Sequence, residues 1–286
     1  MIKFFQTFLS IGKIIYQSKW RLNFDNTPKD RCVILGNGPS IKSVLEEQLD
    51  LLSSQTLVCV NNFPNTPYFE KIKPAYFIVA SEEFWEDSKT IDPNTQLRKD
   101  IINALINKTT WPITFFLPAS SRKKKSFIQR VNSNKNIKIC FYNKTPVEGI
   151  SYFNHLFFKK GWGMPRPHNV LIPAIMNCIN SGFKEIILLG ADHSWIPLIS
   201  VNEKNEALVA QKHFYNTDAQ KEVMFRKGIR PRRLHEILEK FMLSFRAYIG
   251  IKEYAKNRQV QIWNATSNSF IDAFDRKKLK SLIHKY

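Results

Sequence analysis

The chain has 286 residues, 43% of them hydrophobic and 13% aromatic, enough for a sizeable core, and this excludes disorder for the bulk of it. Lysine and arginine number 43 against 24 acidic residues, a formal charge of +19. That balance points to an anionic partner: a phosphorylated or carboxylated substrate, an acidic membrane surface or nucleic acid.

Four cysteines, Cys32, Cys59, Cys140 and Cys178, lie in apolar runs with no CxxC spacing. They read as reduced, buried thiols, and no Cys/His set with metal-ligand spacing occurs.

Residues 1–24 open the chain as a basic amphipathic helix. The run MIKFFQTFLSIGKIIYQSKW is broken by Lys3, Gln6, Thr7, Ser10, Lys13 and Gln17. It lacks the long apolar centre and cleavage site of a signal peptide and is too short to span a bilayer. On a helical wheel Phe4, Phe5, Phe8, Ile11 and Ile15 share a face opposite Lys3, Gln6, Ser10, Lys13 and Gln17. Such a helix either lies on an anionic membrane or packs on its own domain, and the net charge tips the reading to the membrane. The expected location is cytoplasmic, peripheral on the inner face of the cell membrane.

From residue 25 to 195 strands and helices alternate. CVILGN (32–37), TLVCVNNF (56–63), PAYFIVAS (74–81), PITFFLP (112–118), IKICFYN (137–143) and KEIILLGADHSW (184–195) read as buried strands. KSVLEEQLDLL (42–52), TQLRKDIINALIN (95–107), SSRKKKSFIQRVN (120–132) and VLIPAIMNCINSGF (170–183) read as helices. The alternation predicts an α/β fold: a doubly wound, mainly parallel, Rossmann-like sheet. Residues 196–233 are charged and poor in apolar positions, as in a small helical lid or acceptor-side insertion. Residues 234–286 complete the core with a long amphipathic helix (234–258), a last strand (259–266) and a basic terminal helix.

In a parallel open sheet, ligands collect at the carboxyl ends of the strands. Those ends carry Gly36-Asn37-Gly38-Pro39-Ser40, Asn61-Asn62, Ser81-Glu82, Asp192-His193 and, after the last strand, Asn268-Ser269. Any one set is an ordinary turn composition; together they outline a site. The first turn is neither GxGxxG, since Ile41 stands where the third glycine would be, nor GxxxxGK[ST]. It remains a tight turn that brings backbone N–H groups and a helix N-terminus to one spot, with Ser40 placed to cap the helix and Asn37 directed at the ligand.

VILGNGPSIK, VNNF and SGFKEIILLGADHSW resemble the bacterial sialyltransferases of glycosyltransferase family 42. They also resemble a broader set sharing the Gly-x-Gly-Pro-Ser turn (domain of unknown function 115), which includes the archaeal MptE-like pterin diphosphokinases. NATSNSF resembles the family's Pro-Asn-Ser segment after its last strand. The resemblance implies a GT-A-like variant of the fold. It also implies inverting, metal-independent transfer from a CMP-activated nonulosonic acid to a glycan or glycolipid acceptor in surface polysaccharide synthesis, with no cofactor beyond the CMP-sugar donor. It matches Asn37 and Asn61 to family asparagines that hold the nucleotide, and with the strand-end set Gly36, Asn37, Gly38, Pro39, Ser40, Asn61, Asn62, Asp192, His193, Asn268 and Ser269 are expected at the nucleotide. Ser81, Glu82, Arg166, His168, Asn169, Tyr215 and Arg232 go to the sugar or acceptor.

The family's base is a histidine, for which His235 at a helix start and His213 in the insertion are the candidates. The chain departs from the sialyltransferases in having PRPHNV where they carry Arg and a Ser-Gly stretch, and Ala80 or Ser81 where they carry an asparagine. The acid sugar is therefore left open.

Two other classes compete. An MptE-like diphosphokinase needs Mg²⁺ and clustered strand-end acids, with Glu82, Asp192 and Asp272 available. A nucleic-acid-binding protein suits the charge, but no recognition motif occurs and the basic residues are dispersed. Homo-oligomerisation is left open.

Overall fold

The structure is a computed structural model that describes residues 1–286 apart from 23, 26, 87–92, 211–213, 215–220, 224, 227–229 and 284–286; of 93–95, 221, 222, 225 and 226 it describes the backbone only. Helix α1 (Ile2–Gln17) precedes β1 (Lys29–Leu35), α2 (Ile41–Glu47), α3 (Leu49–Ser53), β2 (Leu57–Val60), α4 (Phe69–Ile72) and β3 (Tyr76–Ile78). The chain continues through α5 (Pro93–Lys108), β4 (Ile113–Pro118), α6 (Lys125–Val131), β5 (Ile137–Tyr142), α7 (Ser151–Lys159), α8 (Leu171–Asn180) and β6 (Phe183–Leu189). After an insertion come α9 (Leu234–Asn257), two closing strands and α10 (Leu279–Ile283).

β-Branched and aromatic residues place alternate side chains on opposite sides of the sheet. Cys32, Ile34, Val58, Val60, Ile186 and Leu188 pack against α7, α8 and α9. Val33, Leu35, Leu57, Cys59, Ile187 and Leu189 pack against α2 to α6 and α10. Helix α8 is buried at every residue from Leu171 to Ile179, which explains its apolar character all round.

The insertion contains β7 (Ile199–Val201), β8 (Ala207–Ala210), β9 (Lys221–Val223), β10 (Phe225–Arg226) and β11 (Arg230–Pro231). The closing strands are β12 (Gln261–Asn264) and β13 (Asp275–Arg276). The main sheet runs β13-β12-β6-β1-β2-β3-β4-β5, and every pairing in it is parallel. The chain winds outward from β1 to β5, then crosses back to lay β6 on the other side of β1. The topological switch point therefore lies between the carboxyl ends of β1 and β6, where an open α/β sheet leaves a crevice.

At that point the two strand ends touch backbone to backbone. Gly36 N–H donates to Leu189 O at 2.8 Å and Gly38 N–H to Gly190 O at 2.9 Å. A side chain on Gly36 would collide with Gly190 O, and one on Gly38 with the Asp192 carboxylate. Gly190 also has φ +63, a conformation open to glycine at little cost. The glycines thus admit β6, not a ligand, to the first turn.

Three local expectations change. The segment 196–233 holds an antiparallel β-meander and a hairpin where a small helical lid was expected. Asn202 Oδ1 accepts the N–H groups of Lys204 and Glu206 and Asn205 has φ 58, which fixes the first turn of the meander. Of the basic terminal helix, the described residues show only α10, since Thr266 and Ser269 bind the chain to the end of β6 and residues 275–276 pair as β13. The Ser40 side chain makes no cap to α2; its hydroxyl donates to Asp192 Oδ2 at 2.8 Å, and its N–H donates to Oδ1 at 3.0 Å.

Gly36→Ala and Gly190→Ala should each destabilise the protein by about 3 kcal/mol, read as a lower urea midpoint. Gly12→Ala, at a site where an added Cβ meets nothing within 4 Å, should leave the midpoint unchanged or raise it slightly.

Candidate functional site

The crevice at the switch point is lined from the β1 end by Asn37, Gly38 and Pro39, and from the β2 end by Val60 and Asn61. The end of β6 contributes Gly190 and Asp192 to Trp195. The loop 168–171 and one face of α9, with Lys240, Phe241 and Ser244, close the other side. The insertion reaches the rim: Phe214 N–H donates to Asn37 O at 3.1 Å, and its ring lies 5.8 Å from Phe63. Trp195 and Phe241, 5.2 Å apart, join the meander to α9 through Val209 and Ile237.

A directed hydrogen-bond chain runs along one wall. Asn169 Oδ1 accepts Leu171 N–H at 3.0 Å and Ile172 N–H at 3.4 Å, holding the N-terminus of α8. It also accepts the Tyr248 hydroxyl at 2.9 Å. Three donors on one oxygen fix the amide's orientation. Tyr248 has then given its one proton to Asn169, so at its 2.6 Å contact with His193 Nε2 it is the acceptor. His193 is therefore the Nε2–H tautomer, and its Nδ1 carries the lone pair.

Burial pushes the His193 imidazole down to a pKa of about 3 and pushes the Tyr248 phenol up, so both are neutral. Asn169 Nδ2 is buried and has no hydrogen-bond partner among the described residues; neither has His168 Nε2 or Arg232 Nε. Burial, with Arg166 and Lys240 nearby, holds His168 below its ordinary 6.5. Burial, then Arg232, lowers Lys240. Asp192 is raised by burial against the opposing pull of its Ser40 hydrogen bonds. Among the described residues the crevice therefore offers the unpaired Asn169 N–H₂ and the Lys240 side chain, with Arg232 near Lys240 outside the lining, while its one carboxylate is occupied by Ser40.

The expected residues divide into groups. Asn37, Gly38, Pro39, Asn61, His168, Asn169, Asp192 and His193 converge on the crevice. The Asn37 amide N–H donates to Val60 O at 3.2 Å, so it ties the ends of β1 and β2 as well as facing the site. Gly36 and Ser40 support the turn from outside the lining. Arg232 lies close enough to act on Lys240 and His168.

Several expected residues fall elsewhere. Asn62 accepts from the Asn65 amide. Ser269 donates to Ala191 O at 2.6 Å and buttresses the β6 end, with Asn268 exposed beside it. Ser81 is away from the crevice lining, and Glu82 is exposed, 3.8 Å from Lys144 Nζ. Arg166 is held by Glu148 in a two-bond pair at 3.1 and 2.7 Å. His235 is exposed on the first turn of α9 and outside the lining. His213 and Tyr215 lie outside the described residues.

No protein-family model matches the chain, and no curated protein does. Among solved structures, the chain is similar to the MAf glycosyltransferase from Magnetospirillum magneticum AMB-1, at 10% identity and a TM-score of 0.49; the match covers 94% of this chain and 38% of that one. The chain thus spans less than half the length of that protein.

Sequence reasoning missed Lys240, Ser244 and Tyr248. Their spacing of four residues marks a polar line along α9, the one signal that could have found them.

The tautomer and burial of His193 give a pH signature. In the unfolded chain the imidazole binds a proton near pH 6.5, but in the fold only near pH 3. The stability tied to its neutral form is complete above pH 6.5 and falls below it by about 1.4 kcal/mol per pH unit. Between neutrality and about pH 4.5 the wild type should lose about 2 kcal/mol more than His193→Gln, measured by urea unfolding. Parallel losses would place the imidazole in solvent.

Proposed function

We propose that the crevice binds a CMP-activated acidic sugar of the nonulosonic class and transfers the sugar, with inversion and without a metal ion, to a hydroxyl of a glycan acceptor. The observation that carries the reading is the set of uncommitted donors at the switch point: the buried Asn169 amide N–H₂ beside His168, with Lys240 and Arg232 supplying positive charge. Buried donors without partners are rare in folded proteins and suit a polar ligand. The resemblance of the GNGPS turn and the GADHSW strand end to the sialyltransferases adds the donor class.

In this reading the acceptor hydroxyl passes its proton to His168 Nε2, which is neutral at physiological pH because burial and neighbouring cations lower it. The acceptor oxygen bonds to the anomeric carbon as the carbon–oxygen bond to the CMP phosphate breaks. The electron pair stays on the phosphate oxygen, where Lys240 and Arg232 offset the charge. His193 has its Nε2 proton committed to Tyr248 and a pKa of about 3, so it orients the wall and is too weak to serve as base.

The diphosphokinase alternative needs gathered carboxylates. Of Glu82, Asp192 and Asp272 only Asp192 lines the crevice, where it is engaged by Ser40. Among the described residues no group of three His, Cys, Asp or Glu could hold a metal ion.

Calorimetry with CMP and CMP-sugars tests the reading. The wild type should bind CMP, Lys240→Ala should weaken binding at least about tenfold, and His168→Gln should keep the affinity while lowering turnover about 10²- to 10⁴-fold. Absence of binding to CMP and every CMP-sugar, or turnover of ATP abolished by EDTA, would reject it.

A further inference from the structure

Helix α1 is docked by the side opposite to the one its composition favours. Its buried residues are Thr7, Ser10 and Ile14. Ser10 Oγ donates to Glu148 O at 2.8 Å and accepts Glu148 N–H at 2.9 Å, and Thr7 Oγ1 accepts Ile150 N–H at 3.0 Å. Just past the helix, Ser18 bonds to Thr145, and the Asn143 side chain spans the Lys19 backbone with two contacts at 2.8 Å. Gly149, at φ +130, has no room for a side chain against Thr7, so the close approach is built into the sequence.

Most of its apolar residues face outward, Ile14 and the half-buried Ile11 excepted. Ile2, Phe4, Phe5, Phe8, Leu9 and Ile15 are 47–76% exposed, and Tyr16 is more so. At 100° per residue they cover an arc of about 160°. Gly12 falls within that arc, and beyond the helix itself none of the described residues comes within 4 Å of its Cβ position, so among the described residues the face is uncovered. Other aromatic side chains near the helix form a separate run of ring contacts: Trp20 meets Trp162 at 4.7 Å, Trp162 meets Phe157, Phe157 meets Phe153, and Phe153 meets Tyr152. Trp20 is 51% and Tyr152 74% exposed.

We propose that this face is a membrane-docking surface whose occupant is a bilayer containing anionic lipid, with α1 lying in the plane of the interface. Charge selects that occupant. Residues 1–24 contain Lys3, Lys13, Lys19 and Arg21 and no acidic residue, within a chain of formal charge +19. Two copies meeting through this face would repel, whereas an anionic surface attracts each cation near it. Tyr16, exposed within the arc, suits the headgroup level, and rigid docking through Thr7, Ser10 and Ser18 fixes the whole domain against the membrane. Among the described residues no helix is long and apolar enough to cross a bilayer, so the contact is monotopic.

The test is flotation of the full chain with vesicles of phosphatidylcholine alone or mixed with phosphatidylglycerol. The wild type should float with the mixed vesicles, less at high salt and less with phosphatidylcholine alone. Phe5→Asp with Phe8→Asp should reduce binding at least about tenfold, and Lys13→Gln with Lys19→Gln should weaken it several-fold. The aspartate pair should keep the wild-type melting temperature and CMP affinity, since neither ring is buried in the domain. Absence of flotation with mixed vesicles overturns the proposal. So does a wild-type dimer in sedimentation that the aspartate pair abolishes, with vesicle binding unchanged; that outcome would assign the face to a second copy.

Discussion

The structure depends on a backbone contact at the switch point, where the turn after β1 and the turn after β6 rest on each other through Gly36 and Gly190. Parallel strands carry no hairpin to fix their relative position, so register between β1 and β6 rests on the ladder and on what happens at its end. The glycine contact draws the two ends together and brings Asp192 over the first turn. Its carboxylate then takes both the Ser40 N–H and the Ser40 hydroxyl. The open space is thereby displaced from between the two strands toward loop 168–171 and α9.

That displacement explains why the working polar groups come from α9 and the approach to α8 as much as from the strand ends. The Asn169 oxygen serves the N-terminus of α8 and receives the Tyr248 proton, so its N–H₂ has no freedom to turn inward. His193 sits at φ 53, which a residue with a side chain adopts at a cost of order 1–2 kcal/mol. The closing segment offsets it: Thr266 and Ser269 grip both polar atoms of the Ala191 backbone, and Phe270 N–H donates to Asp192 O. Residues that look like ligands in the sequence thus hold the residues that line the crevice.

Much of the fold was legible because buried strands of a parallel sheet announce themselves as short apolar runs. CVILGN (32–37), TLVCVNNF (56–63) and KEIILLGADHSW (184–195) overlap the observed β1, β2 and β6, which stop before the polar residues at the end of each run. The strand-end rule then led to Asn37, Asn61, Asp192 and His193 without any geometry. What could not be read is where a polar side chain spends its hydrogen bonds. Ser40 and Ser269 have the composition of ligands and cappers, yet their partners lie 152 and 78 residues away in the chain, a separation no local pattern encodes. Lys240 and Tyr248 were hidden for another reason: on a long amphipathic helix a polar residue reads as solvent-facing unless the whole line of four-residue steps is followed. The insertion misled because its charge hid short apolar runs such as ISV and ALVA.

Helix α1 carries the same lesson to the surface. Hydrophobic burial alone would favour the opposite rotation, since the outward arc holds three phenylalanines and several aliphatic side chains, each able to contribute about 1.5–3 kcal/mol if covered. Thr7, Ser10 and Ser18 contribute only modest net hydrogen bonds. Their leverage is positional: each meets a backbone or hydroxyl partner between Thr145 and Trp162 that would be left unpaired in any other rotation, and Gly149 admits Thr7 at a distance no bulkier residue allows. Rotating the helix would strand those groups and carry Thr7, Ser10 and Ile14 away from the partners they now meet. The polar anchors therefore specify against the rotation that composition favours, and they leave the apolar face uncovered among the described residues.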